Sequence, residues 1–92
     1  MTVRLLVHPR VNADLAQAVH CYDRKLPGLG RAAIGQITRL LDRIRRYPLA
    51  FPRVRNHVRR AGVAGLDAEL LYWSQGDQII LLAVAQVEDR HD

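Results

Sequence analysis

The spacing of apolar residues changes along the chain, and over residues 3–30 it predicts a strand followed by a helix. A run of β-branched residues and leucine at 3–7 predicts a short strand. Pro9 suits the first turn of a helix, where its missing N–H costs nothing. From Val11 to Tyr22 apolar residues then recur at helical spacing, and the segment 26–30 ends this helix with Pro and Gly.

A second amphipathic helix is predicted over 31–46, and Pro48 stops it. Because only five residues join the two helices, we expect them to form an antiparallel hairpin. The apolar side chains expected to pack this hairpin on the rest of the protein are Leu15, Val19, Tyr22, Ile34, Ile37, Leu41 and Ile44.

The second half of the chain has the pattern of β structure. Residues 53–60 predict one strand, 69–73 a second, and 79–84 a third, with a hairpin turn at 74–77. The last strand is apolar without alternation, which favours a central strand covered on both faces.

These elements predict an α+β fold with the order β-α-α-β-β-β. We expect a helical hairpin packed on one face of a mostly antiparallel sheet. The 92 residues are enough for one domain, 1–92, and a hydrophobic content of 49% is typical of a folded protein.

The basic segment 53–60 is the strongest functional signal. If it is one strand, its side chains alternate between the sheet faces, which groups Arg53, Arg55, His57 and Arg59 on one face and Val54, Asn56 and Val58 on the other. The chain has 14 Lys and Arg against 9 Asp and Glu, a net charge of +5. Such a face could bind a nucleic-acid backbone or an acidic protein, and the alternative is a solvated edge strand whose charge prevents aggregation.

Several classes of function lack the residues they need. Cys21 is the only cysteine, and the histidines His8, His20 and His91 have no metal-ligand spacing, so we expect neither a metal nor a cofactor. No apolar run approaches the roughly 18 residues needed to span a membrane. The first residues do not have a signal-peptide pattern, and we therefore expect a cytoplasmic protein.

A series of motifs follows the predicted elements along the chain. They are Asp14-Leu15, Ala18 and Tyr22 in the first helix, Pro27-Gly28-Leu29-Gly30 after it, Arg43-Ile44 and Tyr47-Pro48 at the end of the second helix, Phe51-Pro52-Arg53-Val54 and Val58-Arg59-Arg60 in the basic segment, and Leu82-Ala83-Val84 in the last strand. With these motifs, over residues 3–90, the chain resembles the RelE/ParE toxin superfamily of bacterial type II toxin–antitoxin systems, and most of all its ParE branch.

The resemblance implies a small toxin that a cognate antitoxin neutralises in a hetero-oligomeric complex. In the ParE branch the implied target is DNA gyrase, and in the RelE branch it is mRNA on the ribosome. Two segments depart from the family pattern. Leu66-Asp67-Ala68 replaces the usual Phe-Pro-Tyr, and Gln86, Glu88 and Asp89 stand where many members have a histidine followed by arginines.

Three hypotheses follow, and the first is a ParE-like toxin that binds and inhibits gyrase without catalysis. The second is a ribosome-dependent mRNA endonuclease, in which Arg55 and Arg59 would stabilise the phosphate and His57 would act as general acid or base. The third is an inactive relic that still binds an acidic, partly disordered antitoxin. We predict that the partner-binding residues are Arg53, Arg55, His57, Arg59, Arg60, Tyr72, Trp73 and Arg90. For Tyr72 and Trp73 the alternative to partner binding is packing in the core.

Overall fold

A computed structural model describes residues 3–87 as two helices and five strands. In chain order the elements are β1 (Arg4–Val7), α1 (Arg10–Lys25), α2 (Leu29–Arg46), β2 (Arg53–Arg55), β3 (Val58–Gly62), β4 (Ala68–Gln75) and β5 (Gln78–Gln86). Arg90, which we predicted to contact a partner, lies outside the described residues, as do Glu88 and Asp89.

Proline and glycine lie at the boundaries of both helices, but α2 begins two residues before the predicted start, so the connection is the three residues 26–28 and not the five expected. Pro9 precedes α1 with a φ of −55°, and the N–H of Leu26 closes its last turn on Tyr22 O at 3.1 Å. Gly28 precedes α2 with a φ of +88°, a left-handed conformation that glycine adopts readily. Basic side chains in the last turn of each helix complement its dipole.

Gly30 allows the two helices to approach closely. A Cβ at this position would lie 2.7 Å from Val19 Cγ1, too close for two carbon atoms. The N–H of Gly30 also donates to Asp23 Oδ1 of α1 at 2.8 Å. The loop and this contact hold the helices as the expected hairpin.

The five strands form one sheet in the order β1-β5-β4-β3-β2. β1 and β5 are parallel, and the other neighbouring pairs are antiparallel, which confirms the predicted mostly antiparallel sheet. The core lies between the helices and one sheet face, where Ile44, Leu70 and Tyr72 have no exposed surface. The predicted α+β architecture is confirmed, with one strand more than expected.

The additional strand arises because the basic segment 53–60 is a hairpin and our prediction of a single strand was wrong. Arg55 pairs with Val58 across a two-residue turn of Asn56 and His57. Asn56 has a φ of +46°, and asparagine is among the residues that tolerate this region best. A register shift between Arg53 and Arg55 adds a bulge to β2.

Two packing predictions also need correction. Ile34 of α2 is 41% exposed, and Leu40 is buried in the core instead. β5 is an interior strand, as predicted, but its two faces differ: Ile79 and Leu81 are buried, whereas Ile80 on the other face is only half-buried. The helices cover one face of the sheet and leave the other open.

Candidate partner-binding face

The sheet face turned away from the helices, here called the open face, carries an apolar row that crosses all five strands. Residues directly opposite each other on paired strands share a face. The register places them in one line, Leu6, Ile80, Trp73, Val58 and Arg55, from β1 to β2. Leu6 is 44% exposed and the next three residues are half-buried. This line ends in a charged side chain and is apolar elsewhere.

A second, shorter row lies beside the first. Ala83, Leu71 and Arg60 are paired across β5, β4 and β3, so that a basic residue again ends an apolar line at the same side of the sheet. Arg4 stands at the opposite side, at the start of β1. Arg4, Arg55 and Arg60 are all exposed. The open face is therefore an apolar strip with basic ends.

His57 contacts the apolar row from the turn between β2 and β3. Its ring lies 6.0 Å from that of Trp73, centroid to centroid, at an interplanar angle of 70°. This edge-to-face arrangement is favourable for aromatic rings. The contact positions the exposed imidazole at the rim of the open face, two residues after Arg55 in the chain.

Arg59 and Tyr72 point to the helix side, and both hold the loop between α2 and β2. The Arg59 guanidinium donates to Phe51 O at 2.8 Å, and the Tyr72 hydroxyl donates to Pro48 O at 2.7 Å. The Tyr72 and Phe51 rings pack edge to face at 6.3 Å. Burial raises the pKa of Tyr72, against the opposing effect of the Arg59 charge. Tyr72 is therefore a core residue, which was the predicted alternative to partner binding.

The predicted basic face is consequently divided between the two sides of the sheet. Arg53 is paired with Arg59 and so lies on the helix side of β2, where its side chain is exposed. Arg55 and Arg60 share the open face with Trp73, and His57 packs on Trp73 at its rim. Sequence reasoning missed Arg4, Leu6, Ile80 and Leu71, because the pairing of β1 with β5 brings together residues from the two ends of the chain.

The segment 66–68, which departs from the family pattern, has a clear structural role. The Tyr22 hydroxyl of α1 donates to Asp67 Oδ1 at 2.7 Å. Burial, together with this carboxylate, raises the pKa of Tyr22 to about 12, and the same hydrogen bond lowers the pKa of Asp67. The N–H of Val87 also bonds to Asp67 O at 2.7 Å. Asp67 therefore ties the end of β5 to α1.

A groove of about 570 Å³ opens near the end of β3, beside the open face. Its lining includes Phe51, Arg60, Gly62, Leu66, Glu69 and Val87.

Residues 3–87 contain no group of three or more His, Cys, Asp or Glu side chains that could hold a metal ion. Among the helices of this same range, none is long and apolar enough to cross a membrane.

Comparison with known proteins finds a similar structure. No protein-family model and no curated protein sequence matches the chain. Its structure is similar to a chain of the solved structure described as "Chromosomal ParDE TA system from P. aeruginosa", with a TM-score of 0.72. The match covers 95% of this chain and 98% of that chain, at 17% sequence identity. The chain therefore has the α+β fold that its resemblance to RelE/ParE toxins predicted.

Proposed function

We propose that this protein is the toxin of a type II toxin–antitoxin system and that it acts by binding, with DNA gyrase as its target. The observation that carries the proposal is the open face, a partly exposed apolar strip with Arg4, Arg55 and Arg60 at its ends. Large contiguous apolar patches are uncommon on the surfaces of monomeric proteins, and they often mark sites of interaction with a partner. The fold shared with a chain of a ParDE toxin–antitoxin system supports the assignment to such a system.

An acidic antitoxin is the partner that suits this surface best. The protein has a net charge of +5, and arginine is well adapted to bidentate contacts with carboxylates. An acidic chain would be steered towards the basic ends of the open face, while its apolar side chains would cover the strip between them. The complex would then be a hetero-oligomer of toxin and antitoxin.

Binding also fits the contacts of the residues that a nuclease would need. The Arg59 guanidinium is engaged by the carbonyl groups of Phe51 and Leu49 on the helix side of the sheet. It is therefore separated from Arg55 and His57, the other two residues of the nuclease hypothesis. The aromatic and arginine side chains of the open face are the types that dominate protein interfaces.

The test takes as candidate antitoxin a short acidic polypeptide encoded directly beside this protein, which the proposal expects to exist. We expect that induction of the protein alone arrests growth, that co-expression of this polypeptide restores it, and that the two co-purify. Arg55→Glu with Arg60→Glu should weaken the complex and reduce the loss of affinity that added salt causes, because fewer attractive charge pairs remain to be screened. The matched control is Arg39→Glu with Arg45→Glu on exposed positions of α2, which changes the charge equally. If both pairs of substitutions weakened the complex equally, the open face would not be part of the interface.

A further inference from the structure

The exposed side of α2 carries most of the net positive charge of the protein. This helix has five arginines and one aspartate, and so contributes +4 to the chain's net charge of +5. All of these arginines are exposed, namely Arg31, Arg39, Arg43, Arg45 and Arg46. Asp42 pairs with Arg46 at 3.2 Å, and no other carboxylate among residues 3–87 forms an ion pair with this helix. The charge of α2 is therefore almost uncompensated.

Three of these residues, Arg39, Arg43 and Arg46, form a line along one side of the helix, here called the arginine row. They are four and three residues apart, a spacing that makes side chains neighbours on a helix surface, with their Cβ atoms about 5–6 Å apart. The Arg43 guanidinium lies 5.6 Å from the centre of the Phe51 ring, over its face. The middle of the arginine row is therefore fixed to the loop that follows the helix.

The arginine row is unfavourable for the helix that carries it. Like charges three or four residues apart repel each other, and a solvated helix face typically carries charges of both signs. The helix dipole favours the arginines of the last turn, but Arg31 and Arg39 lie before that turn. An anionic ligand with regularly spaced charges would remove the repulsion.

We propose that the arginine row binds the phosphate backbone of double-stranded DNA. A guanidinium makes bidentate contacts with phosphate oxygens, and a DNA strand presents such charges at regular intervals along its length. The helices cover the sheet face opposite the open face, so this site is separate from the surface assigned to the antitoxin. The inference goes beyond the proposed function and does not depend on it.

The surface of α2 favours a duplex over a single strand. Single-stranded nucleic acids are bound in grooves where their bases stack on aromatic side chains. α2 contains no aromatic residue. Neither the groove near the end of β3 nor a smaller cavity between α1 and β5 is lined by a residue of this helix. The arginine row can therefore contact a backbone but offers bases no platform.

The neighbours of the arginine row favour a nucleic acid over an acidic protein. Towards the start of α2 the same side of the helix continues with Gln36 and Ala32, which are polar and small. Ile34, the large apolar residue exposed on α2, is five residues before Arg39 and so lies on another side. The arginine row thus lacks the apolar or aromatic anchor on which protein interfaces usually depend.

The test measures binding of a short fluorescein-labelled DNA duplex to the purified protein by fluorescence anisotropy. Arg39→Gln with Arg46→Gln removes two residues of the arginine row and keeps Arg43 on Phe51. Arg10→Gln with Arg24→Gln on α1 is the matched control, because all four arginines are exposed and each pair includes one that is bound to an aspartate four residues away. Both variants lose two positive charges, so their net charge is equal.

We expect the change in the arginine row to weaken duplex binding about thirtyfold at about 50 mM salt, and the control to weaken it less than about threefold. The slope of log affinity against log salt should fall from about −3 to about −1 in the first variant, since two phosphate contacts are lost. Thermal unfolding checks that both variants are folded. If the double variant does not fold, Arg39→Gln against Arg24→Gln gives the same comparison, with an expected loss of about fivefold.

Four results would overturn the proposal. The first is that the unmodified protein does not bind the duplex at low salt. The second is that both variants weaken binding equally, which would mean that only the net charge matters. The third is tighter binding of a single strand of the same sequence, which would assign the row to another nucleic acid. The fourth is tighter binding of polyglutamate of equal charge, which would assign it to an acidic protein.

Discussion

Single hydrogen bonds from side chains attach α1 to each of its neighbours. Asp14 accepts the N–H of Val84 in β5 at 3.1 Å, and Asp23 accepts that of Gly30 in α2 at 2.8 Å. The Tyr22 hydroxyl donates to Asp67 at 2.7 Å in the segment before β4. The Asp14 bond satisfies a backbone donor of β5 beyond the point where β1 ends. α1 is thus held by specific polar contacts in addition to its apolar face.

The bond between Tyr22 and Asp67 should give the stability of the fold a characteristic pH dependence. Tyr22→Phe removes only the hydroxyl, and we expect a loss of about 1 kcal/mol near neutral pH, since Asp67 is exposed to solvent. Because the pKa of folded Asp67 is depressed, the stabilisation is present above the ordinary value of 3.8 and is lost as the pH falls through the lower, folded value. Urea unfolding at several pH values should show wild type and variant converging in acid.

The alkaline side of the same curves provides an independent check. The pKa of Tyr22 is raised from 10.0 to about 12, so its contribution is complete below pH 10 and is lost as the pH rises through about 12. Tyr22→Phe should remove this part of the loss. A constant difference between wild type and variant from acid to alkali would mean that the hydroxyl and the carboxylate do not interact.

At the scale of the elements, two glycines of α2 should respond oppositely to the same substitution. Gly30→Ala places a Cβ within 2.9 Å of Val19 O and Asp23 Oδ1, and we expect it to cost about 1–3 kcal/mol. Gly35→Ala meets nothing within 4 Å and should stabilise the helix by about 0.5–1 kcal/mol. Chemical denaturation of both variants measures this. A similar gain in both would show that the helices can separate without loss.

Helical periodicity and the loop residues were sufficient to predict both helices and their hairpin arrangement. The basic segment was harder, because a strand and a two-residue hairpin produce the same short alternation of charged and apolar residues. The only local signal for the turn is Asn56, whose left-handed conformation is typical of asparagine. A single asparagine is a weaker signal than the alternation of charged and apolar residues on both sides of it, which predicts one continuous strand.

The division of the predicted site has a physical cause that lies outside the segment itself. Arg59 and Tyr72 are directed to the helix side by their register, where the loop after α2 returns with free carbonyl groups at Pro48 and Phe51. A guanidinium and a phenol satisfy those carbonyls. Nothing in the local sequence indicates which part of the chain will return there. The apolar row of the open face depends on the same long-range pairing.

The whole molecule combines a well-packed side and a side whose apolar row is only partly covered. Helix side chains bury Leu70 and Tyr72 completely, whereas Leu6, Ile80 and Trp73 on the opposite face retain contact with solvent. The basic groups at the ends of this row would direct an acidic partner to it over distances of about 10 Å at moderate salt. At this scale the helices close the core on one side of the sheet, whereas the other side keeps apolar side chains in contact with solvent.

For the proposed toxin, a substitution of His57 separates an activity that depends on binding from one that depends on mRNA cleavage. A gyrase-directed toxin should retain its toxicity in His57→Ala, since interface energy is concentrated in aromatic and arginine anchors. Trp73→Ala, which removes the ring that His57 packs against, should reduce it in the same assay. For an mRNA nuclease, loss of a general acid or base should instead cost about 10²–10⁴ in rate.

Two measurements distinguish these outcomes, namely ribosome-associated mRNA cleavage after induction and DNA supercoiling by gyrase with the purified protein. We expect no mRNA cleavage, inhibition of gyrase by the wild type and His57→Ala alike, and weaker inhibition by Trp73→Ala. Site-specific mRNA cleavage that disappears in His57→Ala would replace the binding hypothesis with the nuclease. Neither activity, together with normal antitoxin binding, would identify an inactive relic that retains the fold and the open face. This result would agree with Gln86, Glu88 and Asp89 at positions where many RelE/ParE toxins are basic.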